Sequence, residues 1–263
     1  MLYIVATPIG NLKDITFRAV ETLKAVDYII CEDTRTSLTL LNAYDIKKPL
    51  FSYHKFNEKE KVDKIILDLK EGKEIALISD AGMPCVSDPG NILVNACIEN
   101  EIEYTCVSGA SALINAFVLS GHSAPFTFIG FLPDKKSEMK KLLEDFKSSK
   151  STLIFYVSPH SLEKTIADLY EILGDREFTA VREISKKFEE VVAGTLKEGY
   201  KGVIKGEFVL LIKPSKEKQE FDLTIEEQLE KYISSGMEKN EAIKKVAKER
   251  GLKKNDVYRL TIK

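Results

Sequence analysis

Four short loops of this 263-residue chain carry the residue types that could hold a ligand. Each loop follows an apolar run and contains Gly, Pro, Asp or Ser, which are the residues of tight turns. In chain order the loops are TPIGN (7–11), EDTRT (32–36), SDAGMPCVSDPG (79–90) and SGASA (108–112). Such turns let backbone N–H and C=O groups face a ligand, because few side chains stand in between.

These loops do not have the spacing of a phosphate-binding glycine loop. Neither G-x-x-x-x-G-K-[ST] nor G-x-G-x-x-G occurs in them, so a phosphate-bearing nucleotide is not indicated. A nucleotide-like cofactor without phosphates suits them better. S-adenosylmethionine is such a molecule, with an adenine, a ribose diol, an amino-acid group and a sulfonium that carbonyl oxygens can face.

Each loop also has a purely structural interpretation. Asp88 before Pro89 matches a helix N-cap followed by proline at the first helical position. Glu32, Asp33 and Arg35 could form a capping and ion-pair group at the start of a helix. Taken alone, each loop favours the structural interpretation over a ligand-binding one. Four such loops at one edge of a sheet favour a ligand site.

The elements that must position these loops form two series of strands alternating with helical patterns. The first series has apolar runs at 2–7, 28–33, 74–79 and 103–108, and the second at 126–131, 151–157, 177–184 and 206–213. Fully apolar strands between amphipathic helices predict a mostly parallel sheet, whose ligands collect at the carboxyl ends of the strands. We predict an α/β fold with three parts: an N-terminal subdomain (1–120), a second α/β subdomain (121–214) and a helical tail domain (221–263). The tail has a spacing compatible with helix-turn-helix, with Gly251 in the turn.

Composition limits the function classes. The formal net charge of −2 gives no nucleic-acid signature for the whole chain, so binding to a polyanion would be regional. Residues 243–263 carry eight Lys or Arg against two acidic residues, a local excess of +6. Four separated cysteines and the lack of a signal-peptide or membrane pattern at the start predict a reduced, cytoplasmic protein without a metal site.

Seven motifs in order across residues 5–196 resemble the tetrapyrrole methylase-like superfamily, and specifically its ribosomal RNA ribose methyltransferases. They are VATPIGNLKDIT, CEDTRTSLTLL, ISDAGMPCVSDPG, SGASA, FIGFLP, TLIFYVSPHSL and VREISKKFEEVVAGTL. The resemblance implies two α/β subdomains of class III methyltransferase type with S-adenosylmethionine in the cleft between them, in a homodimer. It also implies methyl transfer to the ribose 2′-hydroxyl of a cytidine in 16S rRNA, free or in the small ribosomal subunit.

The resemblance carries cofactor contacts onto nine positions. They are Ile9, Ala81, Gly82, Met83, Val86, Ser111, Ala112, Val157 and Ile184. Most of these contacts would be apolar or made by the backbone, as adenosine recognition allows.

The catalytic hypothesis depends on residue type and predicted location alone. Asp33 or Lys186 would accept the proton of the ribose hydroxyl, and Arg35 would bind a phosphate. An ion-pair network that closes the cleft is the structural alternative. Two other functions stay open: a related methyltransferase acting on a tetrapyrrole or other small molecule, and a non-catalytic RNA-binding assembly protein.

Overall fold

The computed structural model describes residues 1–215, 223–250 and 252–260. The chain divides into two compact units, Met1–Pro214 and Ser215–Lys263. The boundary at residue 221 that the sequence suggested for the helical tail lies outside the described residues.

The first sheet has five strands, all parallel, because helical crossovers connect them. Its spatial order is β3-β2-β4-β1-β5. The strands are β1 Leu2–Val5, β2 Tyr28–Cys31, β3 Leu50–Ser52, β4 Ile75–Ile78 and β5 Tyr104–Val107. The helices are α1 Phe17–Ala25, α2 Thr34–Ala43, α3 Glu58–Lys70, α4 Asn91–Glu99 and α5 Ala112–Ser120. All four residues of β4 are buried, as expected for a central strand with helices on both faces.

The second sheet also has five strands, in the order β6-β7-β10-β8-β9, but only β6 and β7 are parallel neighbours. The strands are β6 Phe126–Phe131, β7 Thr152–Val157, β8 Glu177–Arg182, β9 Glu190–Thr195 and β10 Phe208–Ile212, with helices α6 Lys136–Leu143 and α7 Leu162–Leu173. The sequence pattern predicted four of these strands and missed β9. This edge strand has no fully buried residue, and its apolar run at 191–193 is only three residues long.

Helix α5 joins the two sheets. It follows the first sheet in the chain, yet it packs against β8 and β10 of the second. The buried side chains of Ala116, Ile154, Val181 and Leu211 form this contact, together with Ile9. The two predicted α/β subdomains therefore share one compact unit, and the ends of their strands face a common cleft.

The second unit contains three helices among its described residues. They are α8 Ile225–Ser234, α9 Lys239–Arg250 and α10 Lys254–Leu260. A small core of Leu229, Ala242, Ile243, Val246 and Val257 holds them together. The predicted turn residue Gly251 lies outside the described residues.

The predicted α/β fold class is confirmed: the chain has two β-sheets with their helices, followed by a small helical unit. Every helix in the described ranges is too short or too polar to span a bilayer. Within the same ranges, no three His, Cys, Asp or Glu side chains come together as a metal site.

Candidate functional site

A cavity of about 490 Å³ lies between the two sheets, at the carboxyl ends of their strands. Twenty residues line this central cavity. They are Ile9, Glu32, Asp80, Ala81, Gly82, Met83, Val86, Ser87, Asp88, Ser111, Ala112, Phe131, Tyr156, Val157, Ser158, Pro159, Ile184, Glu207, Phe208 and Val209. Its volume is within the range of small-molecule sites, and its wall is mainly apolar with a few polar groups.

Hydrogen bonds between loops fix one wall of the central cavity. The backbone N–H of Thr7 donates to the carbonyl of Gly82 at 2.8 Å, and the N–H of Gly82 donates back to Thr7 at 3.1 Å. The Thr7 hydroxyl also donates to the carbonyl of Ser79 at 3.1 Å. Gly82 has a φ of +80°, and a Cβ there would lie 3.3 Å from Cγ2 of Ile9. Glycine is therefore required where the two loops meet.

All nine residues that the family resemblance assigned to the cofactor line the central cavity. Ile9 is buried in the first loop, whereas Ser111 and Ala112 begin α5. Val157 ends β7 and Ile184 follows β8, so the second sheet supplies the opposite wall. The structure thus brings together positions that are up to 175 residues apart in the chain.

The charged residues of the wall are all acidic. Glu32, Asp80, Asp88 and Glu207 line the cavity, and its lining includes no Lys, Arg or His. Partial burial raises the pKa of Asp88 to about 6, and the negative charges of Glu32 and Asp80 add to the effect. Burial also raises the pKa of Glu32 and of Asp80, in each case with help from a neighbouring carboxylate. The cavity therefore favours a ligand that carries positive charge.

Asp33 and Arg35 lie outside the central cavity and form the capping and ion-pair group of the structural alternative. The Asp33 carboxylate accepts a hydrogen bond from the Arg35 N–H at 2.8 Å and caps α2. It also pairs with the Arg35 guanidinium at 2.8 Å. These hydrogen bonds lower the pKa of Asp33 to about 2. The Arg35 side chain is 88% exposed, so its guanidinium can reach a ligand from solvent.

Lys186 lines a second, more open cavity of about 380 Å³, which we call the side groove. The Lys186 ammonium donates to Glu183 at 2.9 Å and to Glu207 at 3.0 Å. Partial burial alone would lower the pKa of Lys186, but these hydrogen bonds outweigh it and raise the pKa. Lys186 is therefore a cation at neutral pH and can bind an anion or donate a proton.

The side groove adjoins the central cavity through four shared residues, Ile9, Asp80, Ala81 and Glu207. Thr36, Thr39, Gly10 and Lys186 also line it, so it has hydroxyl, backbone and ammonium donors. Asp80 stands at the junction of the two cavities, and its Oδ1 accepts the backbone N–H of Asp33 at 3.2 Å.

Sequence reasoning left Asp88 out of the site and named it only as a helix cap in the structural alternative. That interpretation was wrong: α4 begins at Asn91, its N-cap is Gly90, and Gly90 has a φ of +137°. Sequence reasoning also left out Phe131, Tyr156 and Glu207. Phe131 ends β6 and Tyr156 is the last residue but one of β7, so the rule that ligands collect at strand ends could have found them.

The cavity fits S-adenosylmethionine in size and in chemistry. Its loops present backbone groups and small side chains, its second wall has aromatic and aliphatic surface, and its carboxylates suit a sulfonium and an ammonium group. A fully phosphorylated nucleotide would meet four carboxylates and no basic residue.

Comparison with known proteins gives the same result. The model of the tetrapyrrole (corrin/porphyrin) methylases matches residues 1–199. "Ribosomal RNA small subunit methyltransferase I" of Halalkalibacterium halodurans is 46% identical and covers 98% of this chain and 93% of its own length. The protein of the same name from Bacillus subtilis is 45% identical, with coverages of 98% and 92%.

Solved structures share the fold at low sequence identity. A uroporphyrin-III C-methyltransferase from Thermus thermophilus, complexed with S-adenosylhomocysteine, has a TM-score of 0.58 at 18% identity and covers 80% of this chain and 96% of its own. A diphthine synthase has a TM-score of 0.63 at 13% identity, with coverages of 81% and 89%.

The family match, the near full-length relatives and the cavity agree on one cofactor and one class of chemistry. The chain is an S-adenosylmethionine-dependent methyltransferase. It belongs to the tetrapyrrole (corrin/porphyrin) methylase family and, within that family, to the group of the ribosomal RNA small subunit methyltransferase I proteins.

Proposed function

We propose that this enzyme transfers a methyl group from S-adenosylmethionine to the ribose 2′-hydroxyl of a cytidine in 16S rRNA. The observation that carries the proposal is the junction of two cavities at Asp80. The central cavity suits the cofactor, and the side groove is open enough for a nucleotide of a larger RNA. The names of the relatives, which specify small-subunit ribosomal RNA, support the choice of substrate.

The reaction needs alignment and a proton acceptor. When bound, the cofactor would supply a methyl group on a positively charged sulfur for in-line transfer to the ribose oxygen, and the hydroxyl proton would have to pass to a residue of this chain. We assign the proton to Asp80, because its carboxylate lies where the two cavities meet and has no ion-pair partner among the described residues.

The earlier candidates for the proton acceptor fit less well, although their role stays a prediction. Asp33 has a lowered pKa and is held by Arg35, so it is a weak base. Lys186 is protonated at neutral pH, because two carboxylates hold its ammonium. The guanidinium of Arg35 and the ammonium of Lys186 are cations near the side groove, and we propose that they bind RNA phosphates.

The C-terminal unit is proposed to add affinity for RNA. Lys244, Lys248, Lys253 and Lys254 are exposed on α9 or just after it, where they can approach phosphates. Deletion of residues 221–263 should weaken binding to small-subunit particles and reduce the slope of log affinity against log salt, because fewer counterions are released. Filter binding at several salt concentrations measures both quantities. Unchanged affinity and slope would show that this unit does not contact RNA.

We propose that the enzyme is a homodimer and that α5 contributes to the interface. Val118 is 72% exposed, and its helical neighbours Ile114 and Leu119 are also exposed. No charged residue occurs in this helix, so the exposed face suits a second copy of itself.

The variant Val118→Lys should convert the dimer to a monomer, because it would bury two ammonium groups in an apolar interface. Sedimentation velocity reports the state. Asp63→Lys is the matched control, because it places an ammonium group at an exposed polar position on α3 and should leave the dimer intact. A monomeric wild-type enzyme would contradict the proposal.

The decisive experiment on function maps ribose methylation in 16S rRNA from cells with and without this gene. The expected result is the loss of one methylated cytidine when the gene is deleted and its return on complementation. An unchanged map, together with methylation of a tetrapyrrole by the purified enzyme, would favour the small-molecule alternative. If a catalytically inactive variant restores the methylated cytidine in the deletion strain as well as the wild-type gene does, a non-catalytic assembly role is favoured.

A further inference from the structure

Three carboxylates on one side of the central cavity have no obvious structural role. Glu32 directly follows β2, Asp80 follows β4, and Asp88 lies in the turn before α4. We call these three residues the acidic wall. Glu207 is left out, because it is 76% exposed and its carboxylate is paired with Lys186.

Among the described residues, no counter-charge contacts the acidic wall: Glu32 and Asp88 make no hydrogen bond or ion pair, and Asp80 accepts only the backbone N–H of Asp33. The negative charges of Glu32 and Asp80 act on Asp88, and that of Asp80 acts on Glu32, so the three groups lie within electrostatic range. His54 is near enough to lower the pKa of Glu32, but burial and the charge of Asp80 outweigh it and raise that pKa. A partly buried group of like charges is unfavourable without a cation.

We propose that the acidic wall makes the cavity select the positively charged cofactor over its product. The inference rests on the assignment of S-adenosylmethionine to this cavity. The cofactor carries a sulfonium, an ammonium and a carboxylate, whereas S-adenosylhomocysteine lacks the sulfonium charge. The two molecules otherwise differ only by the methyl group itself, so the loss of the sulfonium charge is the main electrostatic difference between them.

This selection also has a consequence for turnover. Loss of the methyl group removes the positive charge at sulfur, so the attraction that holds the cofactor weakens once transfer is complete. The acidic wall would therefore favour exchange of the product for fresh cofactor. No conformational change is needed for this effect.

The test compares two ligands that do not react. Sinefungin has a protonated amine in place of the sulfonium methyl group, and S-adenosylhomocysteine has a neutral thioether. Calorimetry with the full-length enzyme gives both dissociation constants at pH 7.5. The wild-type enzyme should prefer sinefungin, and Asp88→Asn should weaken sinefungin binding by about tenfold, because an adjacent opposite charge is worth about one pKa unit or more.

The neutral ligand serves as the internal control for folding. Binding of S-adenosylhomocysteine to Asp88→Asn should change by less than about threefold, because its sulfur is neutral and its ammonium and carboxylate charges cancel. Glu32→Gln should act in the same direction as Asp88→Asn. Asp63→Asn is the matched control, because it removes the same charge from an exposed position on α3 and should alter neither constant.

The pH dependence adds a second measurement. Asp88 is charged above its pKa of about 6, and the groups that face it are Glu32, Asp80, Cys85 and Tyr156. The wild-type preference for sinefungin should therefore decline as the pH falls from 7.5 to 5.5, and this decline should be smaller in Asp88→Asn.

Equal changes in both dissociation constants, or no change in their ratio, would overturn the inference while leaving the cofactor assignment intact. Failure of both ligands to bind the wild-type enzyme would overturn the cofactor assignment and this inference with it.

Discussion

Asp80→Asn is expected to lower kcat for RNA methylation by about 10²- to 10⁴-fold, the usual contribution of a general base. Asparagine has nearly the same shape and keeps an oxygen that can accept the Asp33 N–H, so the loop should stay in place. What the substitution removes is the ability to take up the hydroxyl proton. Methyl transfer to small-subunit RNA at saturating cofactor measures the effect.

A pH profile distinguishes this role from a structural one. Burial raises the pKa of Asp80, so wild-type kcat should fall on the acid side as the carboxylate is protonated. Asp80→Asn should lose that acid limb. Asp63→Asn, far from both cavities on α3, should keep the wild-type rate and profile. If Asp80→Asn methylates RNA within about threefold of the wild-type rate, Asp80 is not the proton acceptor.

Gly90→Val should have the largest effect on stability, a loss of about 2–6 kcal/mol in the free energy of unfolding. Gly90 has a φ of +137°, which a branched side chain does not tolerate, at a cost of about 1–3 kcal/mol. A Cβ there would also lie 2.5 Å from Sγ of Cys85 and 2.7 Å from Cδ2 of Leu77, which adds about 1–3 kcal/mol of overpacking. Urea unfolding measures the loss.

Gly72→Val separates these two causes. Gly72 also has a positive φ, of +90°, but a Cβ there meets no atom within 4 Å. Gly72→Val should therefore have the backbone strain without the overpacking. We expect its free energy of unfolding to fall by about 1–3 kcal/mol. Equal losses in the two variants would mean that the close contacts at Gly90 are relieved by small movements.

The first sheet and its loops could be predicted from the sequence because local signals agreed. Apolar strands, helical stripes and turn residues all pointed to parallel β-α units, and the strand-end rule then placed the loops 79–90 and 108–112 at one edge of the sheet. The individual cofactor positions, Val157 and Ile184 among them, came from the family resemblance. Nothing local in the second half of the chain indicates which strand ends face the first sheet.

The strand order of the second sheet was harder to predict from the sequence, for a topological reason. Strand β10 lies between β7 and β8 and is antiparallel to both, so β7 and β8 are parallel but not adjacent. The helical connection between β7 and β8 predicts their direction but not the strand that separates them. Long-range pairing of this kind has no signal in the pattern of a single strand.

The charged residues show the limits of local reasoning most clearly. Asp33 and Arg35 have residue types that suit catalysis, yet they satisfy each other at the start of α2. Asp88 has the sequence context of a cap, yet the positive φ of Gly90 moves the helix start and leaves the Asp88 carboxylate at the cavity. The difference depends on backbone geometry, which the residue types alone do not reveal.

The most direct test of the central claim is a crystal structure of this enzyme with S-adenosylhomocysteine. We predict density for the ligand in the central cavity, against Ala81–Val86 and Ser111–Ala112 on one side and against Val157 and Ile184 on the other. Density for the ligand at any other place, with the central cavity holding solvent alone, would contradict the account.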